Sequence, residues 1–291
     1  MAIGKAAGKP RIGFIGQGFI GKNYADDFEA RGYETVRYAL EEPYRANKEK
    51  IKDCDIVFIG VPTPTFPAEG STKFDDSIVR GAVSLVGPGK IAVIKSTILP
   101  GTTADIQKQY PDRTVLYSPE FLSEATAAHD AAHPFSNIVG MAIEDELHRE
   151  AAERVHAILP TAPFSLICTS TEAEFIKYAH NGSGYVQIVF FNLLYDLAKK
   201  LGANWIPVEK ALAADVYICN RYAKPVHKSG RGAGGHCFIK DFAALRGLYE
   251  QAAGDAAGVA AFAAIEEKNI QLLKASGKDH DLLEGVYGTS V

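Results

Sequence analysis

In the stretch Gly232-Ala233-Gly234-Gly235-His236-Cys237-Phe238-Ile239-Lys240-Asp241, a thiol follows a glycine-rich turn. An ammonium and a carboxylate come three and four residues later. Glycines let the backbone approach a ligand closely, and a cation one helical turn away lowers a thiol's pKa. The pattern is that of a nucleophilic cysteine. His236 adjoins Cys237, but neighbouring side chains rarely face each other, so Lys240 and Asp241 are the better partners. Near the other end, Gly16-Gln17-Gly18-Phe19-Ile20-Gly21 follows an apolar run. Such glycines allow a tight strand-to-helix turn, and the helix N-terminus attracts a pyrophosphate. The acidic residue that would hold the adenosine ribose falls near Tyr38, beside Arg37, with Glu41 and Glu42 slightly late. NAD is the favoured cofactor, with NADP left open.

Two further patterns carry chemistry. Ser118-Pro119-Glu120-Phe121-Leu122-Ser123-Glu124 sets two carboxylates four apart, on one face if a helix starts there. They suit acid/base work beside a substrate, or are simply solvated charge. Lys177 and Asn181 repeat the same spacing. An isolated helical lysine is usually at the surface, yet an ammonium and an amide on one face can stabilise an alkoxide.

The elements that must position these residues change character along the chain. Apolar runs at 11–15, 35–38, 55–61, 91–95, 115–117, 138–140 and 165–167 alternate with amphipathic segments at 21–30 and 75–85. This predicts an α/β fold, a Rossmann-type doubly wound parallel sheet, over residues 1–167. From 168 to 291 a helical central domain follows, led by one long helix over 172–201 that Gly202 stops. Further helices are expected at 208–215 and 256–273, with 275–291 a short tail. The 291 residues carry a net charge of −4, with 47% hydrophobic and 23% charged residues, which offers no footprint for nucleic acid. The stretch 185–198 is too short and too polar to span a membrane. Cys54, Cys168, Cys219 and Cys237 show no CxxC pair, so no metal site is expected and reduced thiols in a cytoplasm fit best. Cys54 and Cys168 read as buried, inert thiols. Residues 1–9 show no apolar core of a secretory signal.

In this order the motifs resemble the UDP-glucose/GDP-mannose dehydrogenase family of nucleotide-sugar dehydrogenases. The likeness rests on Gly16-x-Gly-x-x-Gly21, Val61-Pro62-Thr63-Pro64, Ser96-Thr97-Ile98-Leu99-Pro100-Gly101-Thr102, Ser118-Pro119-Glu120-Phe121-Leu122, Lys177-Tyr178-Ala179-His180-Asn181, Asn220-Arg221 and Gly234 to Asp241. The resemblance implies oxidation of a sugar C6 alcohol to an aldehyde, then attack by Cys237 and a second oxidation to a thioester that water cleaves to a uronate. It implies that Lys177 and Asn181 stabilise an oxyanion, that Glu120 is a catalytic group, and that Asp241 and Thr97 serve the reacting water or proton. Cofactor contacts would come from Gly16, Gly18, Phe19, Ile20, Gly21, Tyr38, Val61, Pro62, Thr63, Ser96, Thr97, Glu124 and Lys240. Substrate contacts would come from Phe121, Leu122, Lys177, Asn181, Gly234, Gly235 and Arg221, the last across a homodimer formed through the central helix.

Departures from the family pattern stand beside these matches. The family continues past this end into a nucleotide-binding domain, so much of the surface for the UDP of the substrate is absent here. Gly182 and Gly184 interrupt the long helix, at about 1 kcal/mol each relative to alanine. Ile239 stands in place of a proline, and Ser123 in place of a residue that is often basic. Two other functions fit parts of the chain. One is a truncated dinucleotide-binding module or half-enzyme that needs a partner chain. The other is a two-electron 3-hydroxyacid-type dehydrogenase, which has no need of Cys237.

Overall fold

Four-residue apolar runs can be satisfied only when both faces of a strand are covered, and that is how they are used. In the computed structural model, which describes residues 8–69, 71–228 and 230–289, β1 (Ile12–Ile15) is wholly buried and leads through Gly16 into α1 (Phe19–Ala30). β2 (Thr35–Tyr38), a 3₁₀ stretch (Arg45–Asp53) and β3 (Ile56–Ile59) follow. A hairpin of β4 (Thr65–Ala68) and β5 (Ser71–Phe74) comes next, then α2 (Ser77–Ser84), β6 (Ile91–Ile94), α3 (Thr102–Gln109) and β7 (Thr114–Tyr117). The alternation ends with α4 (Ala127–Ala132), β8 (Ser136–Met141), α5 (Glu146–Ile158) and β9 (Phe164–Thr169).

Seven strands form one sheet in the order β2-β1-β3-β6-β7-β8-β9. All neighbours are parallel except β7 and β8, so β8 and β9 run together against the rest. The order steps outward from β1 in both directions, the doubly wound arrangement in which ligands lie beyond the carboxyl ends of the strands. Phe14, Phe28 and Phe58 form its aromatic centre, with ring centroids 5.3–5.5 Å apart. Cys54 is buried, and burial pushes its thiol up to about 11. Cys168 is only half-buried, because β9 is the sheet's edge, but burial likewise pushes its thiol up to about 11.

The remaining elements are α6 (Ser170–Lys200), α7 (Trp205–Ala214), the short strands β10 (Val226–His227) and β11 (Gly230–Arg231), α8 (Gly235–Ala252), α9 (Ala256–Ser276) and α10 (His280–Tyr287). The chain divides into two compact units. One is built from the chain up to residue 63 with 76–177, the other from 64–75 with 178 onward. The hairpin of β4 and β5 therefore belongs with the helices, where it packs on α8 and α10.

Two expectations are corrected here. Residues 275–291 are no mere tail, because α10 buries Leu283 and Val286 against Ile239 and Leu273. No helix starts over 118–124 either. Pro119 and the hydrogen bond from Leu122 N–H to Glu120 Oε2 (2.8 Å) favour a local turn instead, and Glu124 is exposed while Glu120 is buried. α6 runs on through Gly182 and Gly184. A Cβ on Gly184 would lie 2.9–3.0 Å from the rings of Tyr222 and Phe238, so this glycine lets the start of α8 approach the long helix. Among the described residues, no helix is long and apolar enough to cross a membrane.

Candidate active site

At the end of β1 the backbone turns through Gly16 at φ +89°, a conformation other residues resist. A Cβ on Gly16 would strike the Gly60 carbonyl, and one on Gly21 would strike the Gly16 carbonyl. These two glycines are there for packing. Gly18 is different: its added Cβ would meet nothing within 4 Å. The first bond inside α1 is Lys22 N–H to Gly18 O, and no side chain caps the helix. Open space above Gly18 and an uncapped N-terminus with no acidic residue in its first turn fit a pyrophosphate. Phe19 is exposed and Ile20 half-buried beside them. Gly18→Ala should leave the denaturation midpoint nearly unchanged but weaken NAD binding about tenfold or more, the equivalent of 1.4 kcal/mol. Gly21→Ala should lower stability by roughly 2 kcal/mol or more through overpacking. Calorimetric titration and urea unfolding of both variants separate the two roles.

Tyr38 closes β2, and its carbonyl accepts from Gly16 N–H at 2.9 Å. Arg37 beside it is taken by α1: it pairs with Asp26 at 2.7 Å and Glu29 at 2.6 Å. The cation that would suit a 2′-phosphate is thus already neutralised, which favours NAD over NADP. At the ends of β3 and β6, Ser96 Oγ accepts from Val61 N–H (2.9 Å) and donates to Val61 O (2.7 Å). Pro62 is exposed, Thr63 buried, and Thr97 buried in the loop before α3. That loop is itself fixed by buried Glu174 on α6, which accepts from Gly101 N–H at 2.6 Å and Thr103 N–H at 2.9 Å. Burial pushes the Glu174 carboxyl up to about 7 despite these bonds.

Glu120 and Lys177 form a buried ion pair. Lys177 Nζ lies 2.8 Å from Glu120 Oε1 and donates to Glu120 O at 2.7 Å, with both side chains about 5% exposed or less. Burial alone would raise the Glu120 carboxyl. The Lys177 charge and hydrogen bond, the Leu122 N–H and the Lys95 charge outweigh it and hold the group below the usual carboxylate range. Phe121 lies under Lys177, its ring centroid 5.4 Å from Nζ, and stacks at a tilt on Phe135. Leu122 is half-buried next to it.

Lys95 was legible only as the last residue of an apolar strand. It is buried, donates to Ser118 O (3.1 Å) and Ser118 Oγ (3.2 Å), and sits 4.3 Å from the centre of the Tyr24 ring. The available signal was a lysine ending an otherwise apolar run just before Ser96-Thr97. Burial pushes its ammonium down to about 7; the Glu120 charge opposes this and the Lys177 charge adds to it. An unfolded lysine keeps its proton to about pH 10. Between about 7 and 10 the unfolded chain therefore holds more protons, and stability should rise with pH across that window. The rise should be on the order of a few kcal/mol and vanish in Lys95→Met, as read by urea unfolding at a series of pH values.

In the other unit, α8 begins at Gly235, so the exposed Cys237 lies in its first turn, where a helix N-terminus favours a thiolate. Asp241, one turn on, is buried and holds two partners: Asn181 Nδ2 donates to Oδ2 at 2.7 Å, and Lys240 Nζ lies 2.5 Å from Oδ1. Lys240 thus spends its charge on Asp241, and its carbonyl accepts from Thr65 Oγ1 at 3.2 Å. Tyr185 stacks on Phe242 at 3.9 Å and fixes the helix against α6. Upstream, Asn269 brackets Ala233, accepting from its N–H at 2.6 Å and donating to its carbonyl at 2.9 Å. Gly234 and Gly235 are half-buried, His236 is exposed, and Arg221 is exposed in the loop before β10.

Sequence comparison places this geometry. The NAD-binding domain of the UDP-glucose/GDP-mannose dehydrogenase family matches residues 28–159, and the central domain of that family matches 171–269. The chain belongs to the UDP-glucose/GDP-mannose dehydrogenase family. It is 32% identical over 209 residues to the UDP-glucose 6-dehydrogenase of Rhizobium meliloti, covering 68% of this chain and 46% of that protein. A solved UDP-glucose dehydrogenase from Pyrobaculum islandicum superposes with a TM-score of 0.74 at 26% identity, over 94% of this chain and 70% of that one. A 3-hydroxyisobutyrate dehydrogenase from Mycobacterium tuberculosis reaches a TM-score of 0.70 at 17% identity, over 93% and 96% of the two chains. That last likeness concerns the fold alone. The chain spans about half the length of the curated relatives it matches.

Proposed function

We propose that this chain carries the catalytic residues of an NAD-dependent nucleotide-sugar dehydrogenase, one that oxidises the C6 hydroxyl of a UDP-glucose-like substrate to a uronate through Cys237. The observation that carries the reading is the state of the motif residues. Glu120 is buried and ion-paired with Lys177, Asp241 is buried and bonded to Asn181, and Cys237 is exposed at a helix start. A plain hydroxyacid dehydrogenase has no use for that thiol.

NAD, when bound, would supply the hydride acceptor, one molecule for each of the two oxidations. In the first, the C6 alcohol loses its proton and a hydride to become an aldehyde. The Cys237 thiolate then forms a C–S bond to the aldehyde carbon, and the oxygen's charge is met by the Lys177 ammonium and the Asn181 amide. Loss of a second hydride from that carbon leaves a thioester. Water adds, the C–S bond breaks, and the uronate leaves with the thiolate restored. Glu120 takes up protons along this route, while Asp241 and Thr97 orient water. Phe121, Leu122, Gly234 and Gly235 line the sugar in this reading, and Glu124 and Lys240 face the cofactor.

A homodimer is part of the proposal. Val186, Phe190, Leu193 and Leu197 of α6 and Leu201 just after it form an exposed apolar stripe at three- and four-residue spacing, which suits a second copy and would bring Arg221 to its neighbour's substrate. The chain spans about half the length of its curated relatives, so activity toward a whole nucleotide sugar is part of the proposal. Incubation with NAD and UDP-glucose, UDP-N-acetyl sugars or GDP-mannose, with mass-spectrometric analysis, tests the assignment. A uronate product supports it. NAD binding without any product counts against it.

A further inference from the structure

The cap residue of α8 is Gly234, which has no side chain to cap with. The first N–H of the helix is met from 44 residues along: Gly235 N–H donates to Asp279 Oδ2 at 2.7 Å. Lys278 grips the same turn, its Nζ donating to Gly232 O at 3.0 Å and its stem filling the space where a Cβ on Gly230 would sit. A Cβ on Gly234 would collide with the Asp279 carboxylate, so the turn's glycines admit this contact. Asp279 adopts φ +54°, in the left-handed region that aspartate tolerates better than most residues. It is held there by α10, whose Leu283 and Val286 pack on Ile239. Residues 278–287 lie beyond 171–269, the stretch that matches the family's central domain.

We infer that Asp279 is a positioning residue for Cys237: it caps α8 across the chain and sets a fixed negative charge at the terminus that activates the thiol. An open helix N-terminus favours a thiolate, and a carboxylate bound to its first N–H opposes that. Cys237 is thereby held in check. The other titratable groups around the turn are Lys278, whose ammonium burial pushes down with Lys228 adding to the effect, and His236, Lys240 and Asp241 on α8. The packed elements also carry His227 on β10, Lys73 on β5 and Lys274 on α9. The catalytic meaning rests on Cys237 being the nucleophile; the effect on the thiol does not.

The test is iodoacetamide alkylation of the full chain as a function of pH, followed at Cys237 by peptide mass spectrometry, with the exposed Cys219 as internal reference. Asp279→Asn keeps an acceptor oxygen and loses the charge. It should move the Cys237 midpoint down by about half a pH unit and leave Cys219 unmoved. Asp279→Glu should restore the wild-type midpoint. Should the asparagine variant fail to fold, Asp279→Ser, a neutral residue that also caps helices, takes its place with the same expected shift. An unmoved midpoint in a folded neutral variant would reduce Asp279 to a structural cap and overturn the inference. If the shift appears while Cys237→Ser leaves turnover intact, the assignment of the nucleophile fails and the inference about the thiol stands.

Discussion

Replacing Cys237 with serine should lower uronate formation by roughly a thousandfold or more while leaving NAD affinity unchanged. The reason is electronic. A thiol is intrinsically more acidic and more nucleophilic than a hydroxyl, so a serine in the first turn of α8 stays protonated and adds to an aldehyde only weakly. The glycine turn at 16–21 belongs to the other unit, so titration calorimetry with NAD should give the wild-type constant. Aldehyde or its hydrate released by the variant would show that the first oxidation survives. An unaltered rate of uronate formation would remove Cys237 from the chemistry.

Lys177→Met should cost about 3–5 kcal/mol of stability, because it strands the buried Glu120 carboxylate without its main partner. The double variant Glu120→Gln with Lys177→Met should recover most of that loss. Urea unfolding of the two single variants and the double one gives the coupling directly. The pH dependence has a definite sign. In the wild type Glu120 is held below the range of a free carboxylate, so its stabilisation is in force above about pH 4.3 and is lost as pH falls through the lower folded value. In Lys177→Met, burial is the largest influence left, with the Leu122 N–H and the Lys95 charge still opposing, and the carboxyl should rise. That variant should therefore gain stability on acidification where the wild type loses it.

Much of the fold is legible in the residue pattern because buried parallel strands leave a simple signature. Ile12–Ile15, Ile56–Ile59 and Ile91–Ile94 are unbroken apolar runs between turn residues, and each is a strand buried on both faces. The β4–β5 hairpin left no such mark, since Thr65-Phe66-Pro67-Ala68 holds a proline and is largely exposed. α10 was hidden for a similar reason. It is eight residues long, and only its packing against Ile239 and Ala243 of α8 and Leu273 of α9 makes Leu283 and Val286 a core pair. At the candidate site the sequence supplies residue types and order, but not partners. Nothing local says that Lys177 is buried against Glu120, or that Lys95 turns from a strand into the same buried region. The Asp279 contact spans 44 residues and has no periodicity, so only the folded chain reveals it.

The measurement that bears most directly on the central claim is the ratio of reduced cofactor formed to UDP-glucose consumed, followed to completion with the wild-type chain and with Cys237→Ala. Two equivalents per sugar in the wild type, falling to one or none in the variant, is the result predicted for oxidation through a thioester on Cys237. A single equivalent in both proteins would contradict it and return the chain to simple two-electron chemistry.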